Sequence, residues 1–268
     1  MKVGIIGLGF VGGSMLKSFS EKKIDVIGYD KYKNINVFDD ILESEILFLC
    51  LPTPYSNEKN KYNYEPIEET LLLLKEKEYK GVIVLKSTIQ PEMTNILEEK
   101  YNIGLIHNPE FLTARTAYED FHNQKHIVLG RGNKVLEEDY KKLIDFYREN
   151  YSDNISLCSS LESESMKIYL NSFYAIKVEV FTEFKMLCDS NGSDYNRIRD
   201  MMLKNGWINE MHTNVPGVDG KISYGGLCFP KDTNALNKYM EEKGVLNMVL
   251  ESCIKERNLL REDNDNII

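Results

Sequence analysis

The stretch 1–30 combines two apolar runs, a glycine-rich turn and a helical spacing, and it constrains the fold more than any other feature. The short apolar run Lys2–Ile6 leads directly into the turn G-L-G-F-V-G at 7–12. The residues that follow have helical spacing, and a second apolar run, 24–29, ends at Asp30. This order predicts a βαβ unit with its glycine turn at the start of the helix.

Each part of this unit has a role in holding a dinucleotide. The first glycine makes the tight turn, the second lets the backbone approach the pyrophosphate, and the third allows close helix–strand packing. The helix N-terminus favours the anion. An acid about 20 residues further on accepts from the ribose 2′-hydroxyl and repels a 2′-phosphate, so we predict NAD rather than NADP. The candidate cofactor contacts in this unit are Gly7, Gly9, Phe10, Val11, Gly12 and Asp30.

A second motif, Y-G-G-L-C-F-P-K-D at 224–232, places one cysteine directly before a helix start. Paired glycines let the backbone come close to a ligand, and Pro230 suits a first helical turn. The positive helix end and Lys231 favour the thiolate of Cys228, which makes this thiol a candidate nucleophile. The alternative reading of a single cysteine is a small buried hydrophobe.

Three further motifs lie between these two: L-P-T-P at 51–54, K-S-T-I-Q-P at 86–91 and N-P-E-F-L at 108–112. All five occur in one collinear order, and together they make the chain resemble the UDP-glucose/GDP-mannose dehydrogenase family from residue 1 to about residue 243. The loop V-P-G-V-D-G-K at 215–221 resembles the version found in a compact branch of that family.

The resemblance implies NAD-dependent oxidation of the 6-hydroxymethyl group of a nucleotide sugar, UDP-glucose first, to the carboxylate through a cysteine thiohemiacetal and thioester. It also implies the site. The catalytic residues would be Cys228, Lys167, Asn171, Asp232, Glu110 and Thr88. Further cofactor contacts would be Thr53, Pro54, Ser87, Thr88, Glu110 and Lys231. The substrate contacts would be Glu110, Phe111, Leu112, Lys167, Asn171, Tyr224, Gly225, Gly226 and Cys228.

The roles of these residues come from the resemblance, and each has a plainer reading. In the family, the lysine and the asparagine contact the sugar and stabilise the oxyanion, and their spacing of four puts both on one side of a helix. Asp232 would activate water or relay a proton, Glu110 would act as acid/base near the nicotinamide, and Thr88 would hold a water. Read alone, Lys167 is a solvated lysine, Asp232 a helix N-terminal carboxylate, Thr88 a turn hydroxyl and Glu110 a loop acid.

Alternating strand and helix signals predict a doubly wound, mostly parallel Rossmann-type sheet. The apolar runs are 46–50, 82–85, 103–106 and 126–129, and the helical patterns are 66–78, 91–101 and 134–150. From about residue 159 only helices are predicted, at 161–188, 194–204, 230–242 and 245–260. We therefore expect an NAD-binding domain at 1–158 and a helical central domain with the cysteine loop at 159–268. A surface loop is expected at 57–64, and a frayed tail at 261–268.

Composition argues against several classes of binding partner. A formal charge of −9 disfavours nucleic acid. The N-terminus has no signal-peptide pattern, and no apolar run approaches the ~20 residues of a membrane span, so we expect a cytoplasmic protein without a membrane partner. The 5 cysteines, without a C-x-x-C pair, predict reduced thiols and no metal. The long apolar face of 161–188 predicts a homodimer.

Three departures from the family keep a second reading open. Ala114 replaces a carboxylate, His212 falls near an arginine that reaches across the family dimer, and the chain stops at Ile268, where the family's third domain begins. The sequence thus resembles a short form. The alternative is a non-catalytic NAD- or nucleotide-sugar-binding protein that pairs with or regulates a full-length enzyme. A two-electron dehydrogenase of the β-hydroxyacid type is less favoured because it needs no cysteine.

Overall fold

A computed structural model describes residues 1–56, 58–113 and 115–261 and divides the chain into two compact units. Unit 1 consists of Met1–Thr53 and Asn63–Lys167. Unit 2 consists of Pro54–Tyr62 and Ile168–Ile268. Its described residues are 54–56, 58–62 and 168–261. The domain boundary expected between residues 158 and 159 stays a prediction.

The main sheet lies in unit 1 and is of the Rossmann type, as predicted. The strands are β1 Lys2–Ile6, β2 Asp25–Tyr29, β3 Ile46–Leu49, β4 Tyr55–Ser56, β5 Lys61–Tyr62, β6 Val82–Leu85, β7 Leu105–His107, β8 Ile127–Arg131 and β9 Ile155–Ser159. The order in the main sheet is β2-β1-β3-β6-β7-β8-β9, with parallel neighbours except for β7 and β8. The strands β4 and β5 form a separate antiparallel hairpin.

The helices agree closely with the periodicity of the sequence. They are α1 Phe10–Glu21, α2 Glu65–Glu76, α3 Met93–Tyr101, α4 Ala117–His122, α5 Glu137–Asn150, α6 Ser160–Asn191, α7 Tyr195–Lys204, α8 Phe229–Glu242 and α9 Met248–Leu260. A short 3-10 turn spans Phe38–Ile41. Gly192, with φ +76°, follows the end of α6 as predicted. The helix α9 begins three residues later than expected, and α4 was not predicted. Within the residues that the structure describes, no helix is both long and apolar enough to cross a membrane.

The strand sequences explain the position of the core. All four residues of β3, I-L-F-L, are buried, and so are the four of β6. Strands covered on both faces read as continuous apolar runs rather than alternating ones. Phe48 of β3 packs with Phe19 and Phe146 on one face of the sheet, whereas Leu47 and Leu49 pack on the other. The sheet therefore holds the loops that follow its strands on a rigid support.

Two expectations about loops were wrong. The segment 57–64 was expected to be a surface loop, but it contains β5, whose Tyr62 is only 2% exposed. Its ring contacts that of Tyr55 edge to face at 5.9 Å, and β4 and β5 pack against α8, so burial of these aromatic rings overrides the polar composition. Arg261 was expected in a frayed tail, but it is buried and its Nη2 donates to Asp219 Oδ2 at 2.6 Å. Residue 57 and the rest of the expected tail, 262–268, lie outside the described residues.

Candidate active-site residues in two units

The glycine turn of unit 1 leaves room for a ligand at one glycine only. Gly7 has φ +86°, and a Cβ there would lie 2.6 Å from the carbonyl oxygen of Cys50. A Cβ at Gly12 would lie 1.9 Å from the carbonyl oxygen of Gly7, so helix and strand pack too closely for any side chain. At Gly9, the N-cap of α1, nothing lies within 4 Å of the Cβ position. This cradle at a helix N-terminus fits a pyrophosphate.

Asp30 follows β2 and is held by backbone groups. Its Oδ2 accepts from Leu8 N at 2.8 Å, and its Oδ1 accepts from Tyr32 N and Lys33 N, both at 3.0 Å. Burial acts to raise the pKa of this carboxyl, but the hydrogen bonds from Leu8, Lys33 and Tyr32 outweigh it and hold the pKa below its ordinary value. A carboxylate oxygen has two acceptor directions, so Asp30 Oδ2 keeps one for a ribose hydroxyl.

Two hydroxyl groups tie the loops after β3 and β6 together. Thr53 Oγ1 donates to the carbonyl oxygen of Thr88 at 2.8 Å, and Ser87 Oγ donates to that of Leu51 at 2.6 Å. Because β3 and β6 are parallel neighbours, their carboxyl ends meet at one edge of the sheet. Thr53, Ser87 and Thr88, all predicted as site residues, therefore lie together at the edge where such sheets bind ligands.

A buried lysine anchors the next loop and was not predicted. Lys86 is 2% exposed, and its Nζ donates to Asn108 Oδ1 at 2.9 Å. Asn108 in turn donates from Nδ2 to the carbonyl oxygen of Val128 at 2.8 Å. Burial lowers the pKa of Lys86 to about 8. This chain of bonds joins K-S-T-I-Q-P to N-P-E-F-L; both residues were visible in their motifs, but nothing in the sequence indicated that they pair.

Glu110 and Lys167 form a nearly buried pair in unit 1. Lys167 Nζ donates to the carbonyl oxygen of Glu110 at 2.5 Å and lies 3.5 Å from its Oε1. The Nζ also lies 5.3 Å from the centre of the Phe111 ring. The backbone N–H of Leu112 donates to Glu110 Oε2 at 2.6 Å. The reading of Lys167 as a solvated lysine is therefore wrong, because its side chain is only 6% exposed.

In unit 2, Cys228 is exposed at the N-cap position of α8, with Pro230 in the first turn. Gly226 has φ +77°, and a Cβ on Gly225 would lie 2.4 Å from the Arg261 guanidinium, so the glycine pair is needed for the backbone and for this arginine. The carbonyl oxygen of Tyr224 accepts from Arg257 Nε at 3.3 Å. The predicted position of the thiol, directly before a helix start, is confirmed.

Asp232, in the first turn of α8, is fully buried and accepts from three side chains. Asn171 Nδ2 of α6 donates to its Oδ2 at 2.6 Å, and Tyr62 of the hairpin donates to its Oδ1 at 2.5 Å. Lys231 Nζ also donates to Oδ1 and lies 4.9 Å from the centre of the Tyr62 ring. Sequence reasoning brought Asn171, Lys231 and Asp232 into one site but missed Tyr62. Its segment is polar, so that only the pair of tyrosines could have indicated a buried hairpin.

The remaining predicted residues divide between the units in the same way. Phe10 is 65% exposed beside the glycine turn of unit 1, and Pro54 begins the hairpin segment of unit 2. His212 packs against the rings of Tyr174 and Phe229, whose centres lie 4.8 and 5.3 Å from that of its own ring, and burial lowers its pKa. Ala114 lies outside the described residues.

The other cysteines are packing residues or remain unassigned to any chemistry. Cys50, which directly follows β3, is buried, and burial raises the pKa of its thiol to about 12. Burial does the same for the Cys253 thiol of α9. Cys158, which the sequence left unassigned, lies in β9, and its Sγ lies 3.7 Å from the carbonyl oxygen of Leu129. A thiolate nucleophile is disfavoured at 50 and 253, burial also raises the pKa of the Cys158 thiol, and Cys188 is buried. Cys228 is exposed and stays the reactive candidate.

Comparison with known proteins decides the family. The NAD binding domain of the UDP-glucose/GDP-mannose dehydrogenase family matches residues 32–149, and the central domain of the same family matches residues 161–258. The chain belongs to this family. Its first domain is the family's NAD-binding domain, and NAD is the cofactor that the glycine turn and Asp30 fit.

Among the relatives, UDP-glucose 6-dehydrogenase of Rickettsia bellii is 30% identical over 84% of this chain and 52% of its own length. That of Campylobacter jejuni is 24% identical over 94% of this chain and 72% of its own length. The chain spans about half the length of most of the curated relatives it matches.

Solved structures share the fold. A UDP-glucose dehydrogenase from Pyrobaculum islandicum has a TM-score of 0.83 at 20% sequence identity. The match covers 96% of this chain and 68% of the Pyrobaculum chain. A UDP-D-ManNAc dehydrogenase from Pyrococcus horikoshii has a TM-score of 0.79 at 18% identity, with coverages of 97% and 69%.

Proposed function

We propose that this protein oxidises the 6-hydroxymethyl group of a nucleotide sugar, UDP-glucose first, to the carboxylate with two NAD per turnover. The observation that carries the proposal is the exposed Cys228 at the N-cap of α8, one helical turn before the buried pair of Lys231 and Asp232. A dehydrogenase that stops at the ketone or aldehyde does not need a thiol there. The relatives named UDP-glucose 6-dehydrogenase favour UDP-glucose as the first substrate to test.

The thiol serves the second of two oxidations. Bound NAD supplies a hydride acceptor for each of them. The first oxidation converts the primary alcohol to an aldehyde, which holds no readily transferred hydride until a nucleophile has added to its carbon. The Cys228 thiolate adds to that carbon and gives a thiohemiacetal. Loss of hydride from the thiohemiacetal leaves a thioester, and water hydrolyses the thioester to the carboxylate and the free thiol.

Charged groups are assigned to this chemistry in two ways. The positive end of α8 stabilises the thiolate. The resemblance to the family supports the other two roles: Lys167, nearly buried against Glu110, stabilises the oxyanion, and Glu110 takes the proton of the sugar hydroxyl. Asp232 accepts three hydrogen bonds and is fully buried, which favours holding Asn171 and Lys231 in place over direct activation of water.

The test is NADH formation with a panel of UDP- and GDP-sugars. We expect absorbance at 340 nm to rise with at least one of them, and UDP-glucose is the first choice. The second candidate is a non-catalytic protein that binds NAD or a nucleotide sugar, and the replacement of the family's carboxylate by Ala114 favours it. NAD binding without NADH from any sugar in the panel would decide for this second candidate.

We also propose that the protein is a homodimer through α6. Six residues of this helix repeat at intervals of three and four and form an apolar stripe: Tyr169, Phe173, Ile176, Val180, Phe184 and Leu187. Phe173 and Leu187 are each 60% exposed within the chain. Part of the stripe lines an apolar groove of about 800 Å³ with residues of α8 and α9. An exposed apolar face of this length is typical of an interface.

Light scattering tests the dimer. We expect the mass of two chains for the wild type and of one chain for Phe173→Glu, because a charge in the stripe cannot be desolvated cheaply. Lys185→Glu, on the same helix but hydrogen-bonded to Asp189 outside the stripe, is the control and should stay dimeric. A monomeric wild type would contradict the proposal.

A further inference from the structure

The hairpin β4–β5 brings a tyrosine to the candidate active-site carboxylate that neither the motifs nor the family match assigns to the site. Tyr62 is only 2% exposed, and its hydroxyl donates to Asp232 Oδ1 at 2.5 Å. The two residues are 170 positions apart in the sequence, so this contact depends on the packing of the hairpin against α8. We propose that Tyr62 is a positioning residue, which acts on the reaction by fixing the carboxylate of Asp232.

The three donors on Asp232 differ in what they can fix. Asn171 occupies Oδ2, whereas Tyr62 and Lys231 share Oδ1. The Lys231 ammonium is a flexible point charge, and it also lies over the Tyr62 ring at 4.9 Å from its centre. The tyrosine side chain has few rotatable bonds and is held by Tyr55. Tyr62 is therefore the donor that sets the plane of the carboxylate and, through its ring, the position of the Lys231 ammonium.

Asp232 transmits this position to the cysteine. Its backbone N–H donates to the carbonyl oxygen of Cys228 at 3.0 Å, which is the first helical bond of α8. A carboxylate with one donor fewer can turn about its side-chain bonds, and the Lys231 ammonium turns with it. The ammonium of Lys231, three residues after the thiol in the chain, is then no longer fixed, and fixed charges are what stabilise a transition state. This role rests on the function proposed above.

Tyr62→Phe and Tyr55→Phe are a matched pair, because each removes one hydroxyl oxygen from a buried ring of the same hairpin. With UDP-glucose and NAD, we expect Tyr62→Phe to lower kcat roughly 10-fold with KM changed less than about twofold, as for loss of a hydrogen bond to a charged group that acts in the transition state. Tyr55→Phe should keep the wild-type kcat, because the Tyr55 ring rather than its hydroxyl makes the contact to Tyr62.

A thermal cycle tests the contact without turnover. We expect Tyr62→Phe and Asp232→Leu each to lower Tm, and the double variant to lose less than the sum of the two shifts, because each single change removes the hydrogen bond between the two side chains. If Asp232→Leu does not fold, the same cycle is measured in the Lys231→Met background, which leaves no unpaired ammonium beside the leucine.

The outcomes separate this inference from the proposed function. A wild-type kcat in Tyr62→Phe, or additive Tm shifts, would overturn the role of Tyr62 while leaving the dehydrogenase reaction intact. A wild type that forms no NADH would overturn the reaction and the positioning role together, even where the Tm shifts are coupled.

Discussion

Asp30 in unit 1 and Asp232 in unit 2 are both buried carboxylates, but they are held in opposite ways. Asp30 accepts from three backbone N–H groups, and two of these belong to the turn directly after it. Asp232 accepts from the side chains of Asn171, Tyr62 and Lys231. A site built from backbone follows from local spacing and tolerates changes in neighbouring side chains. A site built from side chains depends on segments far apart in the sequence, and a single substitution can remove one of the hydrogen bonds that hold the carboxylate.

Asp232→Asn is expected to cause the largest loss of stability among the variants that test this comparison of the two carboxylates. The substitution leaves the Lys231 ammonium, only 13% exposed, without its carboxylate. We expect a loss of about 3 kcal/mol in the free energy of unfolding, as for breaking a buried ion pair from one side. Urea denaturation at neutral pH measures it. The double variant Asp232→Asn/Lys231→Met carries neither charge and should recover part of this loss. A loss below about 1 kcal/mol in Asp232→Asn alone would mean that solvent screens the pair as it does a surface ion pair.

The glycine turn gives a second, smaller effect with an internal control. Gly12→Ala places a methyl group 1.9 Å from the carbonyl oxygen of Gly7, so backbone must shift. We expect a loss of roughly 2 kcal/mol in stability, together with loss of NAD binding. At Gly9, the N-cap of α1, an added Cβ meets nothing within 4 Å, so Gly9→Ala should weaken NAD binding with a stability loss of at most about 1 kcal/mol, from the poorer N-cap residue. Thermal unfolding and NAD titration distinguish them; equal stability losses would show that the turn is not set by close backbone packing.

The smallest effect concerns Asp30→Asn. The pKa of Asp30 lies below its ordinary value, so this carboxylate contributes stability above the unfolded-state pKa of about 3.9 and loses it as the pH falls through the lower folded-state value. We expect the wild type to be more stable than Asp30→Asn by about 1 kcal/mol at pH 7, and the difference to shrink below about pH 4. A difference independent of pH would contradict the account. The preference for NAD over NADP should also weaken in this variant.

The same contrast explains what the sequence could predict. The glycine turn, Asp30 and the cysteine at the start of α8 follow from short-range rules of turn, helix and strand, and these were predicted. The apolar runs of β3 and β6 likewise indicated a buried parallel sheet. Tyr62 and Arg261 were missed because a polar segment and a charged end become buried only through tertiary partners, Asp232 and Asp219. The bond from Lys86 to Asn108 belongs to the same class: each residue lay in a recognised motif, but their pairing is a property of the sheet.

The central claim of the proposed function is that Cys228 allows a four-electron rather than a two-electron oxidation of the substrate. The most direct measurement counts NADH formed per sugar carboxylate formed, by absorbance and by mass spectrometry of the nucleotide sugar, for the wild type and for Cys228→Ser. We predict about two NADH per carboxylate for the wild type. In Cys228→Ser we predict retained nucleotide-sugar binding with turnover stalled before the free acid is released, because the serine hemiacetal and ester form and break far less readily. Wild-type production of an aldehyde or ketone with one NADH, or full four-electron turnover in Cys228→Ser, would contradict the account.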